Sequence, residues 1–245
     1  MKINKNIIIL ILIIILAILA ILIVTHLNDG NGGAVTNGNQ TVYHEVLANN
    51  SNDPGTVEVI RNIGNPHGKK IAYVVGLHPL EYQTHRTLVS QLQNMSNLNN
   101  SYDIYIINVT RDVGHYGDGS SDNSQGRQNG QNLAYQYVYP QIVNGSYDLA
   151  IDIHSNVGAY PYRTFVFSPV NEGLGESYAS EVAGNCPDIS YYSPESTTSG
   201  PYLTIPLNKN GVPAFYYEEY SFASQDVKNE HMVELILAVD NLQFK

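Results

Sequence analysis

From residue 68 onward, short uninterrupted apolar runs alternate with longer polar stretches of helical character, and that alternation leaves few folds open. Residues 70–76 (KIAYVVG), 104–109 (IYIINV), 147–154 (YDLAIDIH), 163–167 (RTFVF) and 213–218 (PAFYYE) are short and almost continuously apolar, so they read as strands, the first and third as central ones. Residues 79–95, 131–142, 172–183 and 226–242 read as helices, the last with apolar Met232, Val233, Ile236, Leu237 and Val239. Strands alternating with helices predict an α/β domain on a mostly parallel, mixed sheet flanked by helices. Residues 111–130, rich in Gly, Asp and Ser, and residues 191–201 carry no period and read as loops; a loop as long as the first is functional or disordered in most compact domains.

The N-terminus is of another kind. Residues 7–24 are 18 consecutive apolar residues without charge or proline. At about 1.5 Å per residue they nearly span a bilayer core of about 30 Å. A run apolar on all sides reads as a membrane helix rather than a core helix. Lys2 and Lys5 precede it and no Lys or Arg follows until Arg61, a bias that keeps the N-terminus in the cytoplasm and exports the rest. The length of the run, with no clear A-x-A site before Asn28, favours an uncleaved anchor over a cleaved signal peptide. The expected organisation is an anchor over 1–27, a polar linker and approach to the domain over 28–67, and one α/β domain over 68–245.

Charge and cysteine usage narrow the partners. Removing Lys2 and Lys5 from the formal −10 leaves about −12 on the exported part, which argues against nucleic acid or anionic lipid. The single Cys186 forms no internal disulfide, so the domain relies on its core, a metal or glycans. N-x-[ST] sequons at Asn39, Asn49, Asn94, Asn99, Asn108 and Asn144 are compatible with export.

Chemistry-bearing residues gather at strand ends. His78 and Glu81 follow the KIAYVVG run, and the C-terminal edge of a parallel sheet is where ligands bind. Imidazole and carboxylate at that spacing suit zinc, and His154, ending YDLAIDIH, reaches the same edge if the two strands are neighbours. The resulting His2Glu set with an open fourth position is catalytic in type. A helical face of His78, Glu81 and His85 is the lower-ranked alternative, because Pro79 interrupts the helix. Asp152, two before His154 on the same strand face, is a candidate carboxylate behind the ligand, and a capped or solvated Asp is the other reading.

In this order, Gly76-Leu-His78-Pro-Leu-Glu81, Asp152-Ile-His154 and the late-strand Glu218 resemble the zinc carboxypeptidase superfamily, nearer its succinylglutamate desuccinylase/aspartoacylase-like branch. The resemblance covers residues from about 70 to 221. It implies zinc on His78, Glu81 and His154, and Glu218 as the general base that later protonates the leaving amine. Strand alternation puts Glu219 on the opposite face from Glu218, so only one of the two faces the metal; the register fits Glu218 to the family motif, and Glu219 is the alternative base. It also implies substrate contacts from Arg127 and Asn129 in Gly126-Arg127-Gln-Asn129, since the arginine fork binds carboxylates bidentately. The family's Asn-Arg pair has no counterpart in Gln131-Asn132-Leu133-Ala134, so Arg111 and Arg163 become replacement candidates. Tyr191, Tyr192 and Tyr202 fall where the family places a substrate-capping loop.

Two functions follow as expectations. One is a membrane-tethered, extracytoplasmic zinc hydrolase of an amide bond: a carboxypeptidase, a cell-wall peptide amidase or an N-acyl amino acid deacylase. Its substrate would be a peptide, in some cases cell-wall derived, or an N-acyl amino acid. The other is a non-catalytic surface binding module that retains the fold.

Overall fold

The apolar runs form the middle of one sheet. The computed structural model describes residues 36–37, 40–115 and 123–245. Its strands are β1 (Thr36–Asn37), β2 (Gln40–Thr41), β3 (Tyr43–Ala48), β4 (Gly55–Gly64), β5 (Lys70–Val75), β6 (Ser101–Val109), β7 (Leu149–Asn156), β8 (Phe165–Phe167), β9 (Ser190–Tyr191) and β10 (Ala214–Tyr220). Its α-helices are α1 (Tyr82–Asn94), α2 (Asn123–Leu133), α3 (Tyr139–Asn144), α4 (Leu174–Asn185), α5 (Thr204–Lys209) and α6 (Gln225–Asp240). The proposed membrane run over residues 7–24 lies outside the described residues. Among the described residues no helix is long and apolar enough to cross a membrane.

Eight strands join in the order β3-β4-β6-β5-β7-β10-β8-β9, and β1 and β2 form a separate pair. The centre, β6-β5-β7-β10, is parallel; β4 joins it antiparallel on one side and β8 on the other. This is the expected mixed α/β sheet. Helices cover both faces, which is why the central runs lack polar alternation. On one face Ile71, Tyr73, Val75, Ile151 and Phe215 pack with Leu88 and Leu92 of α1, Tyr178 and Val182 of α4, and Met232, Leu235 and Ile236 of α6. On the other, Ala72, Val74, Tyr105, Ile107, Ala150 and Ala214 pack with Leu133 of α2, Ile142 of α3 and Leu207 of α5.

Two expectations need correction. The sheet begins upstream of residue 68: β3 and β4 lie in the segment read as linker and approach to the domain, β3 pairing with β4 and β4 with β6. The 111–130 stretch is not a loop throughout, because α2 begins at Asn123 and continues through a π-helical turn, Ala134–Val138, into α3.

Candidate metal centre and active-site cleft

Backbone register brings the chemistry to one edge. β5 pairs in parallel with β7, and β7 with β10, so rows form across the three strands: Ala72-Ala150-Ala214, then Val74-Asp152-Tyr216, then His154-Glu218. All these side chains share one face. The chain leaves β5 through Gly76 at φ +96°, where a Cβ would lie 1.9 Å from the Ile107 carbonyl oxygen, so the turn requires glycine. Pro79 opens the 3-10 turn Pro79–Glu81, which carries Glu81 toward the end of β7.

His78 Nδ1 lies 2.9 Å from Glu81 Oε1, and His154 Nδ1 lies 2.9 Å from Glu81 Oε2. One donor atom each from His78, Glu81 and His154 falls within 4.8 Å of the others, and all three residues are buried. The Ser155 amide donates to Glu81 Oε2 at 2.9 Å, and Arg127 Nη1 sits 3.4 Å from Oε1. Behind the histidines, Gln131 Nε2 lies 3.2 Å from His78 Nε2, and Asp152 Oδ2 lies 3.1 Å from His154 Nε2. Asp152 is the buried carboxylate behind His154 that the sequence suggested.

Burial pushes the His78 imidazole down to about 4 against the pull of Glu81. Burial also opposes ionisation of Glu81, but the two imidazoles hold its carboxyl well below the usual range. His154 is desolvated too, yet Asp152 and Glu81 hold it well above an ordinary histidine. Glu218 is pushed up to about 8, first by burial and then by Glu81 and Asp152, with His154 and Arg127 opposing.

A cleft of about 340 Å³ opens over this cluster, with Arg127, Tyr160, Ser199, Tyr216 and Glu218 in its wall. Glu219 points to the other face, as strand alternation requires, where it is buried against Thr164, Tyr217 and His231. His85 does not join the cluster: its Nε2 faces the Ile153 carbonyl at 3.1 Å. Of the substrate-binding candidates, Arg127 reaches the cleft and holds Thr198 Oγ1 at 3.1 Å. Asn129 and Arg111 do not line the cleft: Asn129 donates to the Arg111 carbonyl and accepts from Gln125, and Arg111 donates to the Asn52 carbonyl. Helical geometry explains this, since two residues on from Arg127 is about 200° around α2. Arg163 stacks on the Tyr220 ring. Tyr192 packs with Tyr160 and Tyr162, Tyr191 donates to Glu176, and Tyr202 accepts from Gln128.

The sequence reading missed Tyr216, Ser199 and Gln131. The period of two from Glu218 back to Tyr216 could have found the first; nothing local marks the others.

The donor set fits a zinc ion. Two imidazoles and a carboxylate are a normal zinc set. Asp152 Oδ2 is paired with His154, whereas Asp152 Oδ1 and Glu218 Oε2 are buried without a hydrogen-bond partner, acceptor capacity beside the cluster that the described residues leave unused.

No family profile matches the chain, and no curated protein sequence matches it. Solved structures do. Tripeptide-bound cell shape determinant Csd4 of Helicobacter pylori is 10% identical with a TM-score of 0.52, over 76% of this chain and 55% of that one. A metallo-carboxypeptidase from Burkholderia cenocepacia is 13% identical with a TM-score of 0.50, over 81% of this chain and 64% of that one. A presumed metallopeptidase from Shewanella amazonensis is 12% identical with a TM-score of 0.50, over 82% of this chain and 86% of that one. The chain thus spans less than two thirds of the first two and most of the third. At these identities the likeness speaks for the fold: this chain has the α/β fold of the metallo-carboxypeptidases that its motifs resemble.

Proposed function

We propose that the protein is a zinc-dependent hydrolase of an amide bond, tethered outside the cytoplasm by the apolar run over residues 7–24. The observation that carries this reading is the convergence of His78, Glu81 and His154 at one sheet edge, with Glu218 on the same face and its Oε2 buried without a hydrogen-bond partner. The substrate class is a peptide, including one derived from a cell wall, or an N-acyl amino acid. Placement near the desuccinylase/aspartoacylase-like branch rests on chain size and motif order.

His78, Glu81 and His154 would hold the ion. Zinc bound there supplies Lewis acidity, which polarises a substrate carbonyl and lowers the pKa of water. Glu218 takes a proton at its carboxylate and returns it to the leaving amine, a task for a carboxyl whose pKa burial has raised toward neutrality. Arg127 orients an anionic or carbonyl oxygen of the substrate from the cleft wall. Tyr216 and Ser199, hydrogen-bonded to each other at 2.8 Å, also line the cleft.

The second reading is a non-catalytic binding module, favoured by the cleft's single cation. Among the described residues Arg127 is the one Arg or Lys lining it, and residues 116–122 contain neither. The test is zinc-dependent release of free amine from a panel of N-acyl amino acids, short peptides and cell-wall peptides. The hydrolase reading expects turnover that a chelator abolishes, and that Glu218→Gln lowers by about 10²-fold or more without loss of the metal. Stoichiometric zinc with no turnover on the panel would favour the binding module.

A further inference from the structure

Next to the cleft lies a second cavity, of about 390 Å³, and Glu81, Ser155 and Ser221 line both. Those three form one connected boundary: the Ser155 amide donates to Glu81 Oε2 at 2.9 Å, and the Ser221 hydroxyl donates to the Ser155 hydroxyl at 3.0 Å. Glu218, Arg127, Tyr216 and Ser199 line only the first cavity. Hydrolysis breaks the amide C–N bond, with water giving hydroxyl to the acyl carbon and a proton to the amine nitrogen. Glu218 is the group placed to deliver that proton, so the amine half of a bound amide lies beside it in the cleft. The acyl half then runs across the boundary into the second cavity.

The walls of that cavity have their own chemistry. Tyr82 directly follows Glu81 and opens α1, and Phe222 directly follows Ser221, two residues past the end of β10. The two side chains are 43% and 67% exposed. Phe222 meets the Tyr220 ring edge-on at 5.7 Å, and the Arg86 guanidinium lies 5.1 Å from the centroid of Tyr82. A single exposed aromatic needs no explanation, but two in the wall of one cavity beside reactive groups mark a ligand surface. Among the described residues Glu81 is the one charged side chain in that wall. An anionic acyl group would face this carboxylate with no cation to pair it, whereas an apolar one would cover carbon surface.

Lys228 does not line the cavity but fastens its walls. It is 2% exposed, and its Nζ donates to Gln83 Oε1 at 3.0 Å, to the Ser221 carbonyl at 2.8 Å and to the Ala223 carbonyl at 2.9 Å. An ammonium has three donors, so none is left for a ligand. The buried charge ties the start of α1 to the turn after β10, and Gln225 Nε2 adds a tie between α6 and α1 at Thr87 Oγ1, 2.8 Å away. The segments that carry Tyr82 and Phe222 are thereby held in fixed relation, which makes the cavity preformed.

We infer that the second cavity takes the acyl half of the substrate, and that Tyr82 and Phe222 select an aromatic or other bulky apolar acyl group over an anionic one. The inference rests on the proposed hydrolase and deepens it by naming the acyl class.

The test is calorimetric titration of the full chain carrying Glu218→Gln, so that no probe is consumed, with N-phenylacetylglycine, N-acetylglycine, N-succinylglycine and N-acetyl-phenylalanine. N-phenylacetylglycine should bind about 10-fold or more tightly than the acetyl and succinyl probes, the scale on which a hydrophobic pocket discriminates. Tyr82→Ala and Phe222→Ala, both at exposed rings and so expected to fold, should each remove most of that preference and leave N-acetylglycine within about twofold. Equal affinity for the three acyl probes, a preference for the succinyl probe, or no binding of any probe would overturn the inference. So would a preference that survives both substitutions. If the substitutions weaken N-acetyl-phenylalanine instead, the rings serve the amine half, and the assignment fails. Wild-type turnover of the same probes with and without a chelator separates the two readings. An acyl preference that depends on Tyr82 and Phe222, without turnover, sinks the hydrolase and keeps the ring-lined cavity as a binding site for apolar acyl groups.

Discussion

Replacing Glu81 with glutamine keeps the side chain's shape and removes one negative charge from the point where His78, His154, Ser155 and Arg127 converge. Structural zinc sites bind with about 10–16 kcal/mol over four ligands, or about 2.5–4 kcal/mol for each. At about 1.4 kcal/mol per tenfold, losing this ligand weakens zinc binding roughly 10²- to 10³-fold. The amide also mismatches at least one of the donors that the carboxylate serves, a cost to the metal-free fold of about 1–3 kcal/mol. Urea unfolding with and without zinc separates the two effects. At a free zinc concentration about 100 times the wild-type Kd, wild type gains about 2.7 kcal/mol, whereas a variant binding 100-fold more weakly gains about 0.4 kcal/mol. A Glu81→Gln protein that gains as much from zinc as wild type would refute the assignment of Glu81 as a ligand. It would reduce the cluster to a buried ion-pair network.

Three further outcomes follow from the same geometry. Asp152→Asn removes the carboxylate behind His154 and should weaken zinc binding about 10–100-fold in chelator competition; an unchanged Kd would make Asp152 a bystander. His231 has a raised pKa, chiefly because of its hydrogen bond to buried Glu219 at 3.1 Å. Its stabilisation is therefore fully present below the unfolded value of about 6.5 and is lost as pH rises through the raised value. The urea stability gap between metal-free wild type and His231→Gln should be wider at about pH 5.5 than at about pH 9, and a gap constant with pH would contradict this. Asn129→Ala removes ties to Gln125 and the Arg111 carbonyl, so it should cost about 1 kcal/mol in urea unfolding with unchanged zinc affinity; a large loss of affinity would return Asn129 to the site.

What could be read in the sequence was what burial on both faces makes visible. The runs KIAYVVG, YDLAIDIH and AFYYE became β5, β7 and β10, and their terminal His78, His154 and Glu218 fell at one edge because parallel strands end together. The alternation argument also separated Glu218 from Glu219 correctly in space. β3 and β4 escaped because β3 is largely exposed and pairs only with β4, which is itself held by pairing to β6, a long-range contact with no local signal. α2 escaped for a different reason. Its sequence, NSQGRQNGQNL, is rich in poor helix formers and contains two glycines, yet Gly126 and Gly130 are what let it lie close against the backbone near Val113 and Leu77. Tertiary packing overrode propensity there, so the expected helix began only at Gln131, eight residues after the observed start at Asn123.

Whether His78, Glu81 and His154 hold a divalent zinc ion is decided most directly by the metal content of the purified full chain after equilibration with zinc and removal of unbound ion. A zinc site there should give about one zinc per chain in wild type and almost none in His78→Ala or His154→Ala variants that remain folded. A wild-type chain without stoichiometric zinc, or folded variants that keep it, would rule the site out.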